Sequence, residues 1–283
     1  MIENLVFGPG AIYGYCLIGS VKYLEENNHL ENIKSVMGIS VGSFLALFVA
    51  LKFTYNEMKH FIMNVNLTGI IDYNNNFMDI IENYGYDDGK KLLRVTKIIV
   101  KNVLNNENAT LQDLYNFSNI ELCIVGSNIS KSKGVIFNYK TYPDMPICKA
   151  IHISCCIPLI YKPITFEGDT YVDGALNSCS SNYYKDQKKT LRIMIDDYTQ
   201  ENGEFSNFYE YLLILISYPL RKMRIDSCNG NTIYIVIQNF RDRFMDTELT
   251  YDDKLNLIEQ GYQNLKDKFI NFQNFVKSEK IYV

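Results

Sequence analysis

The chain is 283 residues long, 47% hydrophobic and 21% charged, with a formal net charge of −4. An acidic balance argues against nucleic acid as the main partner, and no apolar run approaches the roughly 20 residues of a transmembrane helix. The three histidines are scattered and the seven cysteines form no C-x-x-C pair, so we expect no metal site and no required organic cofactor. Cysteines in apolar contexts and the lack of a secretory signal pattern favour a cytoplasmic protein.

The first predicted elements are a strand and a helix joined by a glycine-bearing loop. Residues 3–7 are predicted to form a short buried strand that ends at Gly8-Pro9-Gly10-Ala11, and apolar residues at helical spacing follow over 14–26. Backbone N–H groups in such a loop hold a phosphate or the oxyanion of acyl transfer, but the same pattern also makes a plain tight turn. The loop matches neither a Walker A motif nor a full G-x-G-x-x-G, which argues against nucleotide binding.

The second strand and helix carry the strongest motif of the sequence. Gly38-x-Ser40-x-Gly42 has the spacing of a nucleophile elbow, with a β-like lead-in at 35–37 and a buried helix predicted over 44–51. In that geometry the serine hydroxyl is exposed at a helix N-terminus, where N–H groups favour developing negative charge. The alternative is a serine-capped turn with Ser40 as the helix N-cap.

The remaining elements continue an α/β pattern. The order strand, turn, helix, strand, elbow, helix is the opening of a parallel sheet. We predict a single domain over 1–283 with a helical insertion at about 55–118. The other expected elements are helices at 55–65, 77–84, 89–105, 110–117 (capped by Thr110), 145–156, 205–223 and 252–277, strands at 120–125, 134–139, 191–195 and 232–237, and a hairpin over 164–172.

A nucleophilic serine needs a general base. No histidine follows His152, which lies in a predicted helix and is interpreted as a packing residue, so a Ser-His-Asp triad in the usual order is not expected. Asp173 ends an apolar strand and precedes Gly174 and Ala175, so its carboxylate could enter a cleft and accept the serine proton directly. The alternative is that Asp-Gly simply marks a turn.

Taken together, the motifs resemble those of the patatin-like phospholipase family. That family combines a glycine-rich oxyanion loop, G-x-S-x-G and D-G-A/G, in the order found here. The segments Ser154-Cys-Cys-Ile-Pro158, Tyr161-Lys-Pro163 and Tyr171-Val-Asp173-Gly174-Ala175 look like the stretch before the family's catalytic aspartate. The resemblance covers roughly residues 3–178.

The resemblance implies a three-layer α/β/α fold with a mostly parallel sheet and a Ser-Asp dyad. In this chain the nucleophile would be Ser40, the base Asp173, the oxyanion donors the amides around Gly10, Ala11 and Ile12, and the supporting glycines Gly38, Gly42 and Gly174. The loop departs from the family pattern G-G-G-x-R/K-G, since Pro9 has no N–H, Ala11 replaces a glycine and Tyr13 replaces the basic residue.

The expected activity is hydrolysis of acyl esters of phospholipids, with peripheral membrane contact and an unassigned oligomeric state. Residues 209–220 are apolar and tyrosine-rich and precede Arg221-Lys222-Met223-Arg224, which suits an interfacial segment. A buried helix with solvated charges at its end explains the same pattern. Two further functions stay open: a catalytically silent lipid-binding or scaffold protein, and an esterase or transacylase acting on soluble acyl esters.

Overall fold

The computed structural model describes residues 1–65, 71, 77–180, 182–196, 211, 212, 215, 231–238 and 249–278. Strands and helices alternate through the first part of the described chain. The strands are β1 (Asn4–Phe7), β2 (Ser35–Gly38), β3 (Gly85–Asp87), β4 (Glu121–Asn128), β5 (Lys133–Phe137), β6 (Leu159–Tyr161), β7 (Ile164–Phe166), β8 (Asp169–Asp173), β9 (Thr190–Asp196) and β10 (Thr232–Val236).

The described helices end with a long one of 28 residues. They are α1 (Gly14–Glu26), α2 (Gly42–Ala50), α3 (Tyr55–Asn64), α4 (Phe77–Asn83), α5 (Lys90–Leu104), α6 (Leu111–Ser118), α7 (Ile147–Ser154) and the C-terminal helix (Tyr251–Ser278). Single 3-10 turns occupy residues 11–13, 174–176 and 187–189.

The main sheet has the strand order β10-β9-β1-β2-β4-β8-β7, with β5 paired to β4. The pairs from β10 to β4 are parallel, whereas β8, β7 and β5 run antiparallel to their neighbours. Gly38 of β2 lies opposite Ile124 of β4, and Asp173 of β8 lies opposite Gly126, which is also in β4. Strand β4 therefore brings the ends of β2 and β8 together at one edge.

Alternate side chains of the parallel strands enter two different clusters. Leu5, Phe7 and Val36 join the large core that contains residues of α1, α2 and the C-terminal helix. Val6 and Met37 face the other way into a smaller cluster. Because adjacent residues of a strand point to opposite faces, both faces of this sheet are buried. The predicted three-layer α/β architecture is confirmed.

Helix termini follow local sequence signals. Thr110 accepts the amide of Asp113 at 3.1 Å, and the Asp113 carboxylate accepts the amide of Thr110 at 2.9 Å, so the predicted cap is confirmed as a capping box. Thr54 and Glu57 form the same arrangement at α3. Helix α7 begins two residues later than predicted because Pro146 has extended backbone and acts as its N-cap.

Sequence patterns missed a second, two-stranded sheet. Strand β3 pairs in parallel with β6, with Gly85 opposite Leu159 and Asp87 opposite Tyr161. Strands of three residues are too short for a period-2 pattern to be recognised. The predicted insertion at 55–118 thus contains a strand as well as helices, and its boundaries remain a prediction. Most of the predicted helix at 205–223 lies outside the described residues.

Candidate functional site

Ser40 lies at the sharp turn between β2 and α2. Its backbone φ is +53°, in the left-handed region that non-glycine residues avoid. A Cβ atom on Gly38 would collide with the backbone of Ser43, and one on Gly42 would collide with the carbonyl oxygens of Phe7 and Gly8. Both glycines of the motif are therefore required by the close passage of strand, turn and helix.

Asp173 stands next to this turn. Its Oδ2 atom accepts a hydrogen bond from Ser40 Oγ at 2.7 Å, and both residues are buried, with exposed fractions of 3% for Asp173 and 5% for Ser40. The N-cap residue of α2 is Val41, and its side chain forms no capping bond. The Ser40 hydroxyl is therefore directed to a carboxylate 133 residues away in sequence, and the interpretation of Ser40 as a helix cap is wrong.

The Asp-Gly pair also forms the turn that its sequence indicates. Asp173 Oδ1 accepts the amide N–H of Ala175 at 2.7 Å and so caps a single 3-10 turn. A Cβ atom on Gly174 would collide with the carbonyl oxygen of Val125. The turn fixes one carboxylate oxygen by a charge-assisted hydrogen bond and leaves the other facing Ser40.

Three hydroxyl groups near the pair were not singled out by the sequence. Ser154 Oγ accepts the backbone N–H of Ser40 at 3.0 Å, and Ser43 Oγ donates to the Ser40 carbonyl at 2.6 Å. Ser127 Oγ donates to the Asp173 carbonyl at 2.7 Å. Only for Ser43 is there a local signal, since it lies one helical turn after Ser40. The other two approach through tertiary packing.

The glycine-bearing loop follows β1 and lies beside the turn at Ser40. The amide of Ile39 donates to the Phe7 carbonyl at 3.1 Å, and the missing Cβ of Gly14 leaves room for the Val41 side chain. A 3-10 turn leads from this loop into α1, with Gly10 as its N-cap and Ala11 and Ile12 as its first two residues. Ala11 has a φ of +44°. The first amides of a helical segment have no acceptor inside that segment, so this loop can offer N–H groups to an anion.

An apolar cavity of about 20 Å³ lies next to the same turn. It is bordered by side chains from α1, α2, α3 and α5, and no polar surface contributes to it. Its lining residues are Gly14, Ile18, Val41, Phe44, Leu45, Phe48, Phe61, Ile62, Val65 and Val95. Val41, the residue after Ser40, is one of the lining residues, so the cavity borders the turn that carries Ser40.

His152 lies in α7 and is packed against Gly89, where a Cβ atom would collide with its Nε2 atom. Burial, with a smaller effect of the nearby Lys149 charge, lowers the pKa of His152 to about 4. The imidazole is therefore neutral at physiological pH. This placement agrees with the interpretation of His152 as a packing residue.

The cysteines after α7 are also buried next to the carboxylate. Burial and the negative charge of Asp173 raise the pKa of Cys156 to about 12 and raise that of Cys155 further. Both thiols therefore remain protonated at neutral pH and are poor nucleophiles. In the described part of the chain, no three His, Cys, Asp or Glu side chains are grouped to hold a metal ion. No helix among the same residues is long and apolar enough to span a bilayer.

Comparison with solved structures places the fold among known bacterial proteins. VipD from Legionella pneumophila superposes with a TM-score of 0.64 at 16% identity, over 96% of this chain and 67% of that one. The type III effector ExoU of Pseudomonas aeruginosa superposes with a TM-score of 0.57 at 18% identity. That match covers 97% of this chain and 53% of ExoU, so the present chain spans about half of that protein.

Sequence comparison finds relatives in viruses. Protein R571 of Acanthamoeba polyphaga mimivirus is 28% identical over 96% of this chain and 95% of its own length. The probable lipid hydrolase 463L of Invertebrate iridescent virus 6 is 26% identical over 62% of this chain and 60% of its own. The family model described as patatin-like phospholipase matches residues 5–181, which include the Ser40 turn and the Asp173 turn. The chain belongs to the patatin-like phospholipase family.

Proposed function

We propose that this protein is a lipid acyl hydrolase that cleaves acyl esters of phospholipids, with Ser40 as the nucleophile and Asp173 as the general base. The hydrogen bond of 2.7 Å between Ser40 Oγ and Asp173 Oδ2 carries the proposal. Hydrolases of this kind need a serine within hydrogen-bond reach of a base that is itself oriented by a third group. Here the Ala175 amide, 2.7 Å from Asp173 Oδ1, is that third group.

In the first half-reaction Ser40 Oγ attacks the carbonyl carbon of the ester, and its proton passes to Asp173 Oδ2. The new Oγ–C bond gives a tetrahedral intermediate whose former carbonyl oxygen carries the negative charge. When that intermediate collapses, the bond from carbon to the alcohol oxygen breaks, and Asp173 returns the proton to this oxygen. The lysophospholipid leaves, and the acyl group remains on Ser40.

The second half-reaction repeats these steps with water. Asp173 accepts a proton from a water molecule while the water oxygen attacks the acyl carbon. Collapse of the second intermediate breaks the bond to Ser40 Oγ, which takes the proton from Asp173. A free fatty acid leaves, and the enzyme returns to its starting protonation state.

The oxyanion donors in this proposal are the amides of Gly10, Ala11 and Ile12. The amide N–H of Ser40 donates to Ser154 Oγ and therefore does not face the oxyanion. The donors would instead come from the loop after β1. Pro9 removes one N–H that the family's loop offers. Removing a single oxyanion donor costs about 10²–10³ in rate in other hydrolases, so we expect a slower enzyme than a full glycine loop would give.

Contact with a membrane surface would present the lipid to the site. Residues 211, 212 and 215 are helical, and Tyr211 and Leu215 are exposed by 38% and 49%. Positions four apart share one helix face, and Arg221 and Lys222 follow in the sequence. An exposed aromatic and aliphatic face beside basic residues suits the bilayer interface better than a buried position.

A matched pair of variants tests this contact. Leu215→Asp should weaken sedimentation with anionic phospholipid vesicles, whereas Phe117→Asp, at a position of α6 exposed by 47%, should not. Equal vesicle binding by both folded variants would contradict the membrane contact.

The activity itself is tested on mixed phospholipid vesicles, with fatty acid and lysophospholipid release followed by mass spectrometry. The wild type should release both products, and Ser40→Ala should release neither. Vesicle binding without release would favour the silent lipid-binding protein. Hydrolysis of short soluble esters with intact vesicle lipids would favour the soluble esterase or transacylase.

A further inference from the structure

Both backbone polar groups of Ser40 are bound by side-chain hydroxyls. Ser154 Oγ accepts the Ser40 N–H at 3.0 Å, and Ser43 Oγ donates to the Ser40 carbonyl at 2.6 Å. Ser43 and Ser154 are fully buried, each with an exposed fraction of 0%. A buried backbone N–H needs an acceptor, and water cannot easily replace one here.

The bond to Ser154 acts on a residue whose backbone is strained. With φ at +53°, Ser40 lies outside the conformations that its Cβ prefers. A change in φ that relaxed this strain would turn the Ser40 N–H relative to its side chain, so the bond of the N–H to Ser154 and the bond of Oγ to Asp173 could not both be kept. Strained residues persist when the surrounding structure over-determines them.

The segment that carries Ser154 also binds the backbone of Asp173. The amide of Asp173 donates to the Cys156 carbonyl at 2.8 Å, two residues after Ser154. One short segment at the end of α7 therefore contacts the backbones of both members of the pair. This shared attachment links the two backbone positions that carry Ser40 Oγ and Asp173 Oδ2.

We propose that Ser154 is a positioning residue that holds the Ser40 backbone so that its hydroxyl stays aligned with Asp173. The inference rests on the proposed function and adds to it a residue that need not touch the substrate. It predicts that loss of the Ser154 hydroxyl lowers the reactivity of Ser40 without changing how the substrate binds.

The test compares Ser154→Ala with Ser118→Ala. Ser118 is a matched control because it is buried at the end of α6 and its Oγ accepts the backbone N–H of Ile120 at 3.2 Å, far along the chain from the pair. We expect Ser154→Ala to lower kcat on a soluble p-nitrophenyl ester by about tenfold or more, with KM within about twofold. The rate of Ser40 modification by a fluorophosphonate should fall in parallel, and Ser118→Ala should keep both rates near those of the wild type.

Ser154→Cys gives a second, graded variant. Its thiol has nearly the size of the hydroxyl but accepts hydrogen bonds weakly, so kcat should lie between the values for wild type and Ser154→Ala. If Ser154→Ala does not fold, a lower kcat at unchanged KM in Ser154→Cys carries the same test. Wild-type kcat in either folded Ser154 variant, or equal losses in Ser154→Ala and Ser118→Ala, would overturn the inference.

Failure of this inference differs from failure of the proposed function. If the fluorophosphonate modifies wild type at Ser40 and Ser154→Ala reacts equally fast, only the role of Ser154 is wrong. If folded wild type is not modified at Ser40, the proposed nucleophile is wrong and the positioning role falls with it.

Discussion

Ser40 and Asp173 meet through a hydrogen bond of 2.7 Å although 133 residues separate them in sequence. Ser40 follows the end of strand β2 by two residues and Asp173 is the last residue of β8, and β4 pairs with both of these strands. Sheet pairing therefore sets the approximate distance between the side chains. The turns at Gly42 and Gly174 then set their direction, because neither turn has space for a Cβ atom.

Replacing the carboxylate with an amide tests the role of Asp173. Asp173→Asn keeps the shape and the acceptor for Ala175 but removes the base, so fluorophosphonate modification of Ser40 should slow by about 10²–10⁴. The matched control is Asp169→Asn in the same strand, where the carboxylate binds Lys131 and Asn128 instead. Equal modification rates in the two variants would contradict a base at Asp173.

Gly38 should tolerate no side chain. In Gly38→Ala the new methyl group meets the backbone of Ser43, so we expect a loss of about 2–3 kcal/mol in the free energy of urea unfolding. Gly168→Ala is the control, because Gly168 has a positive φ of +81° but no atom within 4 Å of its missing Cβ. That variant should lose only about 1 kcal/mol. The steric account of the elbow would be wrong if the two losses were equal.

Ala11 should accept glycine and reject valine. Its φ of +44° disfavours any side chain, and β-branched residues most of all. Ala11→Gly should therefore change the free energy of unfolding by less than about 1 kcal/mol, since relief of strain offsets the greater entropy of the unfolded chain. Ala11→Val should lose more than about 1 kcal/mol and should also lower kcat. A valine variant as stable as the glycine variant would show that the loop is not strained.

His152 should make the protein less stable in mild acid. Its pKa is about 4 in the folded state and 6.5 as the ordinary value, so the unfolded chain binds more protons between these limits. This contribution is fully present above pH 6.5 and is lost as the pH falls toward 4. Between pH 7.5 and pH 5 it amounts to about 2 kcal/mol.

Urea unfolding of His152→Gln at these two pH values checks the prediction. The variant should lose about 2 kcal/mol less than wild type on acidification. His60→Gln, at an exposed position of α3, should follow the wild type. An acid response in His152→Gln equal to that of wild type would assign the loss to other groups.

Local signals in the sequence predict the elements of this fold well, and long-range contacts account for what they miss. The Thr110 cap, helix α1 and the turn at Ser40 depend on residues within a few positions of one another. By contrast, neither strand β3 nor the contact of Ser154 with Ser40 has a local pattern. The choice between nucleophile and helix cap at Ser40 likewise depends on Asp173, which only the folded chain brings near.

Whether Ser40 is an activated nucleophile can be measured by intact-mass analysis after fluorophosphonate treatment. Wild type should gain the mass of one phosphonyl group, and peptide mapping should place that group on Ser40. Ser40→Ala should gain none, whereas Ser118→Ala should still be modified, because the Ser118 hydroxyl bonds the backbone of Leu114 and Ile120. If folded wild type stayed unmodified in the presence of phospholipid vesicles, or if Ser40→Ala were modified at the wild-type rate, Ser40 would not be the activated nucleophile.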